Sequence, residues 1–540
     1  MAVGGGGFAV DASALDRRFA TIPADVKKMS LFYVYLISGF AGVGGFIFGY
    51  DLGVIGSILG MPVFLQYYYT DQGRSLATYT FDKSWIVSFF VLGCFFGSFI
   101  NGWLSDRIGR KKTIIFGSFL FTLGGAIQTA AINVPMLYIG RMIAGLAVGG
   151  LSMIVPLYQG EMAPAKLRGG LVAIQQLMIV SGVAAAFWID YVCNLKLPTS
   201  QLAFRIPLGV QVVAGLILAF GMAFMPESVR YLMKTGNFEQ ARKNLALVRH
   251  LTEDNLYIQY EYEEIHKVVE AEMAVGQGRW KDLLLKEIRR PLLIGCFLQF
   301  FQQLSGTNAT TYYAISFYKI LGITDTNTQL LLQGFYGLVK IVGTFPALLF
   351  LDRFGRRAFL IVGGIGMAIC QFALGILIRV VAGNTVGAAV QAAFAGKDGL
   401  GKFGVFLIWS YIGFFAWTWG PIPWVYNAEI YPVRHRSKAI ALATAADWLG
   451  NFIVGIAVPT WLERSAYGPF FFFAVVCTVG VLVTLFFIPE TKGVALEEMP
   501  ANFEGPIWQV GSKKKHFDRE VTPVTDVHEL DGDRKTAHLA

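Results

Sequence analysis

Asp51 stands within the first long apolar run of this 540-residue chain, and Arg141 near the start of the fourth. An ionised residue in the middle of a bilayer-spanning helix costs roughly 2.5–3.5 kcal/mol even on a lenient insertion scale, so it marks function by default. The chemistry open to such a residue is ion pairing and proton exchange. Asp51 shares its run with glycines at 42, 45, 49, 53 and 56, a small-residue stripe suited to close helix packing. It lies about 200° round the helix from Gly49, off that stripe. A second group of charged residues occurs in strings that appear twice. Asp106-Arg107-Ile-Gly109-Arg110-Lys recurs as Asp352-Arg353-Phe-Gly355-Arg356-Arg. Glu161-Met-Ala-Pro164-Ala-Lys-Leu-Arg168 recurs as Glu429-Ile-Tyr-Pro432-Val-Arg-His-Arg436, and Pro226-Glu227-Ser228 as Pro489-Glu490-Thr491. Glycine permits a tight turn, an aspartate near a helix end can cap the next helix, and clustered arginines can pair with the glutamates of neighbouring strings. Such pairs would act at a gate or hinge. No nucleophile, metal cluster or phosphate loop accompanies them, so neither covalent chemistry nor a cofactor is expected.

The elements that carry these residues follow from composition. The chain is 55% hydrophobic and 15% charged, with mean hydropathy +0.53. Soluble domains carry about 25% charged residues, too many for this chain to match. A soluble enzyme, a nucleic-acid-binding domain and a disulfide-built secreted module are excluded. Apolar runs of about 20 residues, the length that crosses a bilayer, predict twelve spans. They fall near 31–60, 84–104, 113–132, 136–158, 168–192, 205–225, 291–320, 328–351, 358–382, 403–427, 437–462 and 468–488. Four of the five cysteines lie in these runs and only Cys193 sits near a loop, without disulfide or metal-ligand spacing.

Every second connection is basic, as in Arg107–Arg110–Lys111–Lys112 and Arg353–Arg356–Arg357, whereas the opposite loops are nearly neutral. The positive-inside rule puts the basic loops and both termini in the cytoplasm. The first 30 residues lack the pattern of a cleaved signal, so the first run is read as an anchor. Residues 226–290 read as a cytoplasmic loop of short amphipathic helices, and the polar tail as disordered. The duplicated strings divide the rest into two parallel six-helix halves, 31–225 and 291–488, flanked by a segment 1–30 and a tail 489–540. Transporters with this internal repeat place their substrate near mid-membrane between the halves.

The motif set resembles the sugar porter family of the major facilitator superfamily. The matching strings are Gly102-Trp-Leu-Ser-Asp-Arg-Ile-Gly-Arg-Lys, Pro226-Glu-Ser, Gln302-Gln-Leu-Ser-Gly-Thr-Asn308, Gly420-Pro-Ile-Pro-Trp424 and Pro489-Glu-Thr-Lys-Gly, which span nearly the whole chain. The resemblance implies an all-α membrane fold and a sugar site at matching positions. Gln176, Gln302, Gln303, Asn308, Trp424, Trp448 and Asn451 would contact sugar, and Tyr312 and Tyr313 would close the outer side. Amides both donate and accept, and a flat aromatic face suits the C–H side of a sugar ring. On an ideal helix Gln303 and Asn308 lie about 140° apart, so they converge only if the helix unwinds near Ser305-Gly306. The resemblance also implies that Asp51 and Arg141 form the proton-coupling pair. Beside Arg141 the carboxylate stays ionised; separation favours protonation.

Two positions depart from the family pattern. Lys340 stands where a sugar-contacting asparagine is usual, on one helical face with Gln333, Gly337 and Thr344, and Asp447 stands where Asn or Gln is commoner. A Lys340–Asp447 pair would neutralise both charges. A free Lys340 would instead bind a carboxylate, as of galacturonate or quinate. The expected protein is a monomeric plasma-membrane importer of a monosaccharide, hexose or pentose, by proton symport, without nucleic-acid partners. Its alternatives are a sugar-acid or quinate carrier, a facilitative hexose carrier with a fixed Asp51–Arg141 bridge, and a sugar sensor.

Overall fold

The computed structural model describes residues 24–75, 78–163, 168–276, 280–431, 435–492 and 499–503. The tail beyond Phe503, most of the N-terminal segment, and the side chains of Arg168 and Asp352 lie outside them. Among the described residues the chain is helical without strands. Ten helices are long and apolar enough to cross a bilayer. The remaining two spans are the third, which opens on Arg110-Lys111-Lys112, and the seventh, which is broken.

The spans are Ala24–Ile58, Tyr79–Ile108, Arg110–Thr129, Val134–Met162, Arg168–Lys196 and Leu202–Phe224 in the first half. In the second half, span seven runs as Lys286–Leu304, Thr307–Tyr312 and Ala314–Ile320. Spans eight and nine are Thr326–Phe354 and Arg356–Ala382, and span ten is Asp398–Trp417 continued by Ile422–Ile430. Spans eleven and twelve are Arg436–Arg464 and Gly468–Phe487.

The expected repeat is visible in the packing. In the first half span one lies along five, two along four, and three between four and six; in the second, seven lies along eleven, eight along ten, and nine between ten and twelve. The halves meet where span two packs on eleven and span five on eight, contacts that the same two-fold relation exchanges. The glycine stripe of span one packs against span five: Gly45, Gly49 and Gly53 face Gln175, Ile179 and Val183. Gly56 faces the backbone of Thr311 and Tyr312 across the interface between the halves.

The connection after span six forms the expected short helices, Val229–Lys234, Phe238–Arg249 and Leu256–Val275. Ser228, Asn237 and Asn255 start them by accepting the N–H groups of Tyr231, Gln240 and Tyr257. They are docked on the first half, not simply a solvated surface. Buried Arg249 donates to both oxygens of Glu261, at 3.0 and 2.7 Å, and to the Met162 carbonyl at 3.0 Å.

Candidate functional site

The seventh span supplies the break on which the site depends. Ser305 ends the Lys286–Leu304 helix, and Gly306 at φ +94° turns the chain into Thr307–Tyr312. A side chain is strained at that φ, so glycine makes the turn possible. The turn brings Gln303 and Asn308 together, as the helix geometry requires: Asn308 Nδ2 donates to Gln303 Oε1 at 2.6 Å. Gln303 Nε2 then donates to Asp447 Oδ1 at 2.7 Å. Span ten breaks beside it at Gly420-Pro421, and Gln302 Nε2 donates to the freed carbonyls of Trp419 and Gly420 at 2.7 and 2.8 Å. Asn451 Nδ2 donates to the Tyr312 hydroxyl at 3.3 Å, and the Tyr313 hydroxyl to the Gly455 carbonyl at 2.5 Å.

Several polar atoms in this cluster remain unpartnered although buried: Gln302 Oε1, Asn451 Oδ1, Thr307 Oγ1 and Trp448 Nε1. Such groups are costly to leave alone, and together they offer acceptors and donors to a hydroxylated ligand. Gln176 and Trp424 are half-buried on spans five and ten, and among the described residues no hydrogen bond ties either to the cluster.

The proposed neutralisation of Lys340 by Asp447 is absent. Lys340 Nζ donates to Thr311 Oγ1 at 3.2 Å and lies 5.5 Å from the Tyr336 ring centre, while Asp447 is held by Gln303. The break in span seven explains this, because it turns Gln303 toward Asp447 and presents Thr311 to Lys340. Among the described residues no carboxylate lies within ion-pair distance of the ammonium, which is 6% exposed and has donors to spare.

Asp51 and Arg141 do meet: Arg141 Nη1 donates to Asp51 Oδ2 at 2.7 Å, and both side chains are fully buried. Arg141 Nε donates to the Ile86 carbonyl at 3.2 Å, leaving Arg141 Nη2 and Asp51 Oδ1 unpartnered. The guanidinium sits 4.4 Å from the Phe90 ring centre, and Phe90 touches Trp448 edge-on at 6.4 Å. Trp448 also packs on Phe48 of span one at 5.3 Å. An aromatic chain therefore runs from the ion pair to Trp448, the sequence neighbour of the Asp447 that Gln303 holds.

The duplicated strings assemble into two matching networks. Arg110 donates to Glu161 at 3.1 Å, the Arg110 and Lys111 N–H groups donate to Glu227 at 3.0 and 3.1 Å, and Ser228 Oγ donates to Glu161. Correspondingly, Arg356 donates to Glu429 at 2.7 Å, the Arg356 and Arg357 N–H groups donate to Glu490 at 3.0 and 3.1 Å, and Thr491 Oγ1 donates to Glu429 at 2.7 Å. The helix-capping role expected of Asp106 belongs instead to Glu227. Its carboxylate sits at the positive end of span three, whereas Asp106 accepts from Arg110 at 3.4 Å. Gly109 and Gly355, at φ +97° and +91°, make the turns that allow this. Arg107 and Arg353 point outward over Trp103 and Phe354, and Arg436 donates to the Tyr431 carbonyl. These hydrogen bonds stay within one half in each network.

At the end away from the basic strings, hydrogen bonds join the halves. Ser57 Oγ donates to Gln333 Oε1 at 3.2 Å, Asn194 Nδ2 to Asn327 Oδ1 at 2.9 Å, and Lys83 Nζ to Ser316 Oγ at 2.7 Å. Two buried carboxylates of the spans escaped the sequence reading: Asp82 of span two, which accepts from Tyr69, Arg74 and Tyr138, and Asp190 of span five, fully buried. The predicted span, 168–192, already contained Asp190, and the helix runs on to Lys196.

Comparison with known proteins bears on this geometry. Residues 38–503 match the family described as "Sugar (and other) transporter". The chain belongs to that family. This sugar porter of the major facilitator superfamily is a multi-pass membrane transporter, not an enzyme. It is 34% identical to a probable quinate permease of Neosartorya fischeri, over 89% of this chain and 90% of that protein. It is 33% identical to a probable glucose transporter of Neurospora crassa, over 87% and 79% respectively. Among solved structures, the proton:xylose symporter XylE bound to 6-bromo-6-deoxy-D-glucose superposes with a TM-score of 0.73 at 28% identity, covering 88% of this chain and all of that one.

Proposed function

We propose that this sugar porter imports a polyhydroxylated ring compound together with a proton, and that the favoured substrate carries a carboxylate, as a sugar acid or quinate does. The observation behind this is Lys340, a buried ammonium resting on Thr311, three residues on from Asn308, with no carboxylate partner among the described residues. Gln176, Gln302, Gln303, Asn308, Tyr312, Trp424, Trp448 and Asn451 take the ring and its hydroxyls, Lys340 takes the carboxylate, and Asp447 orients Gln303. Asp51 and Arg141 carry the proton, so no cofactor is needed. The names of the quinate permease relatives support an acid substrate.

By charge distribution the basic strings, the 226–290 loop and both termini face the cytoplasm of the plasma membrane, and the 31–225 and 291–488 halves rock as a monomer. The networks on Arg110 and Arg356, with Asp106, Arg107, Glu161, Arg168, Glu227, Asp352, Arg353, Glu429, Arg436 and Glu490, brace the cytoplasmic gate.

A neutral monosaccharide is the second reading, favoured by the unpartnered amide atoms and by the glucose and xylose carriers among the similar proteins. The test is radiolabelled uptake of quinate, galacturonate, glucose and xylose in transporter-deficient yeast, with and without a protonophore. Acid uptake that collapses with the protonophore is expected. A charged hydrogen bond contributes about 1.5–3 kcal/mol, so Lys340→Asn should weaken acid uptake by roughly 10- to 150-fold while sparing neutral sugar. Acid uptake unchanged in Lys340→Asn would discard the carboxylate reading.

A further inference from the structure

Asp190 is unlike the other buried carboxylates of the spans. Asp51 has Arg141 and Asp447 has Gln303, but neither oxygen of Asp190 accepts a hydrogen bond among the described residues. It lies on span five where that span packs on spans one and eight. Ser57 of span one is the side chain placed to act on it, and the Ser57 hydroxyl is donated across the interface to Gln333. Gln333 Nε2 in turn donates to the Thr311 carbonyl of span seven at 3.3 Å. The titratable neighbours that feel its charge are Tyr50 and Cys193, neither of them cationic. From span one Asp51 lies off the glycine stripe that faces span five and is paired with Arg141; from span eight the titratable groups are Tyr336 and Lys340, the latter about two turns from Gln333.

An ionised carboxylate so enclosed, with no ion-pair partner among the described residues and within reach only of a hydroxyl that is donated to Gln333, is strongly unfavourable, so this arrangement favours the neutral acid. A hydroxyl has a single proton to donate. While Asp190 is neutral, Ser57 can give it to Gln333 and hold spans one and eight together. When Asp190 ionises, the carboxylate competes for that proton and draws water into the seam. We propose that Asp190 is a second proton-binding site, whose protonation closes the interface between the halves on the side away from the basic strings and whose ionisation opens it. This adds to the transport reading without requiring it, since closure is measurable with no substrate.

The sign follows from the two states. The closed form binds the proton more tightly than the open, hydrated form, so closure is favoured at low pH and lost as pH rises through the titration of Asp190. The test uses the full chain with its native cysteines replaced and spin labels at Lys196→Cys and Thr324→Cys, on opposite halves at this end. Asp51→Asn serves as background, to remove the other proton carrier. The closed-to-open ratio should fall with rising pH by up to about tenfold per pH unit. Adding Asp190→Asn should abolish that slope. An unchanged slope overturns the proposal, as does a ratio that follows sodium concentration instead of pH. Independently of any change at Asp190, cross-linking the two cysteines shut in weakly buffered solution should take up about one proton per chain; no uptake also overturns it.

Discussion

Replacing Asp51 tests the proton-coupling reading most directly. The pair it forms with Arg141 is fully buried, joined at 2.7 Å, with one further hydrogen bond from Arg141 to the Ile86 carbonyl. Asp51→Ala would leave a buried guanidinium without its counter-charge, a loss of about 3–5 kcal/mol. That is a large part of the 5–15 kcal/mol by which proteins are typically stable. Asp51→Asn is the sharper change, because the amide oxygen can still accept from Arg141. It exchanges a charged hydrogen bond for a neutral one, a difference of about 1 kcal/mol, so the chain should still fold. What it removes completely is the titrating group. Purified protein in vesicles would be assayed in two ways: uphill accumulation driven by an inward proton gradient, and exchange of labelled for unlabelled substrate at equal concentrations. Accumulation should fall to the equilibrium level while exchange continues. If Asp51→Asn concentrates substrate as well as the unsubstituted chain does, Asp51 is not the coupling carboxyl and the pair is a fixed bridge.

Two further outcomes follow from the site's scaffold. Gly306→Ala puts a methyl group against the Phe473 ring at a backbone angle costing about 1–3 kcal/mol, so it should lower thermal stability and abolish uptake by separating Gln303 from Asn308. Normal uptake in that variant would remove the broken helix from the argument. Arg110→Ala and Arg356→Ala should each destabilise the chain by similar amounts, and the double variant by their sum, since Arg110 pairs with Glu161 and Arg356 with Glu429, on different halves. A marked departure from additivity in thermal unfolding would indicate that the networks communicate.

The architecture was legible because both of its signals are repetitive. Apolar runs are long, and the duplicated strings recur in the same order, so spans and halves could be counted without knowing any contact. The convergence of Gln303 and Asn308 was legible too, since helix geometry forbids it unless the segment breaks at Gly306. Side-chain partners were less so. Nothing in the spacing distinguishes Lys340 paired with Asp447 from Lys340 resting on Thr311, because that choice depends on how far the break turns Thr311. Asp190 lay inside the predicted span 168–192, yet nothing in the spacing marks it as enclosed, since its burial depends on how the neighbouring spans pack on span five. Residues 226–290 read only as short amphipathic helices, and the pairing of Arg249 with Glu261 and its bond to the Met162 carbonyl emerge only from the docking of the loop.

The aromatic contact from Arg141 through Phe90 to Trp448 has a thermodynamic consequence. Trp448 follows Asp447, which holds Gln303, so in the proposed reading a ring seated among the amides acts on the same side chains that position the guanidinium. Any free energy passed along this route is reciprocal. If a bound ring tightens proton binding at Asp51 tenfold, protonation must tighten ring binding tenfold, about 1.4 kcal/mol in either direction. Proton and cargo then act as mutual effectors, and a carrier so wired resists moving either one alone.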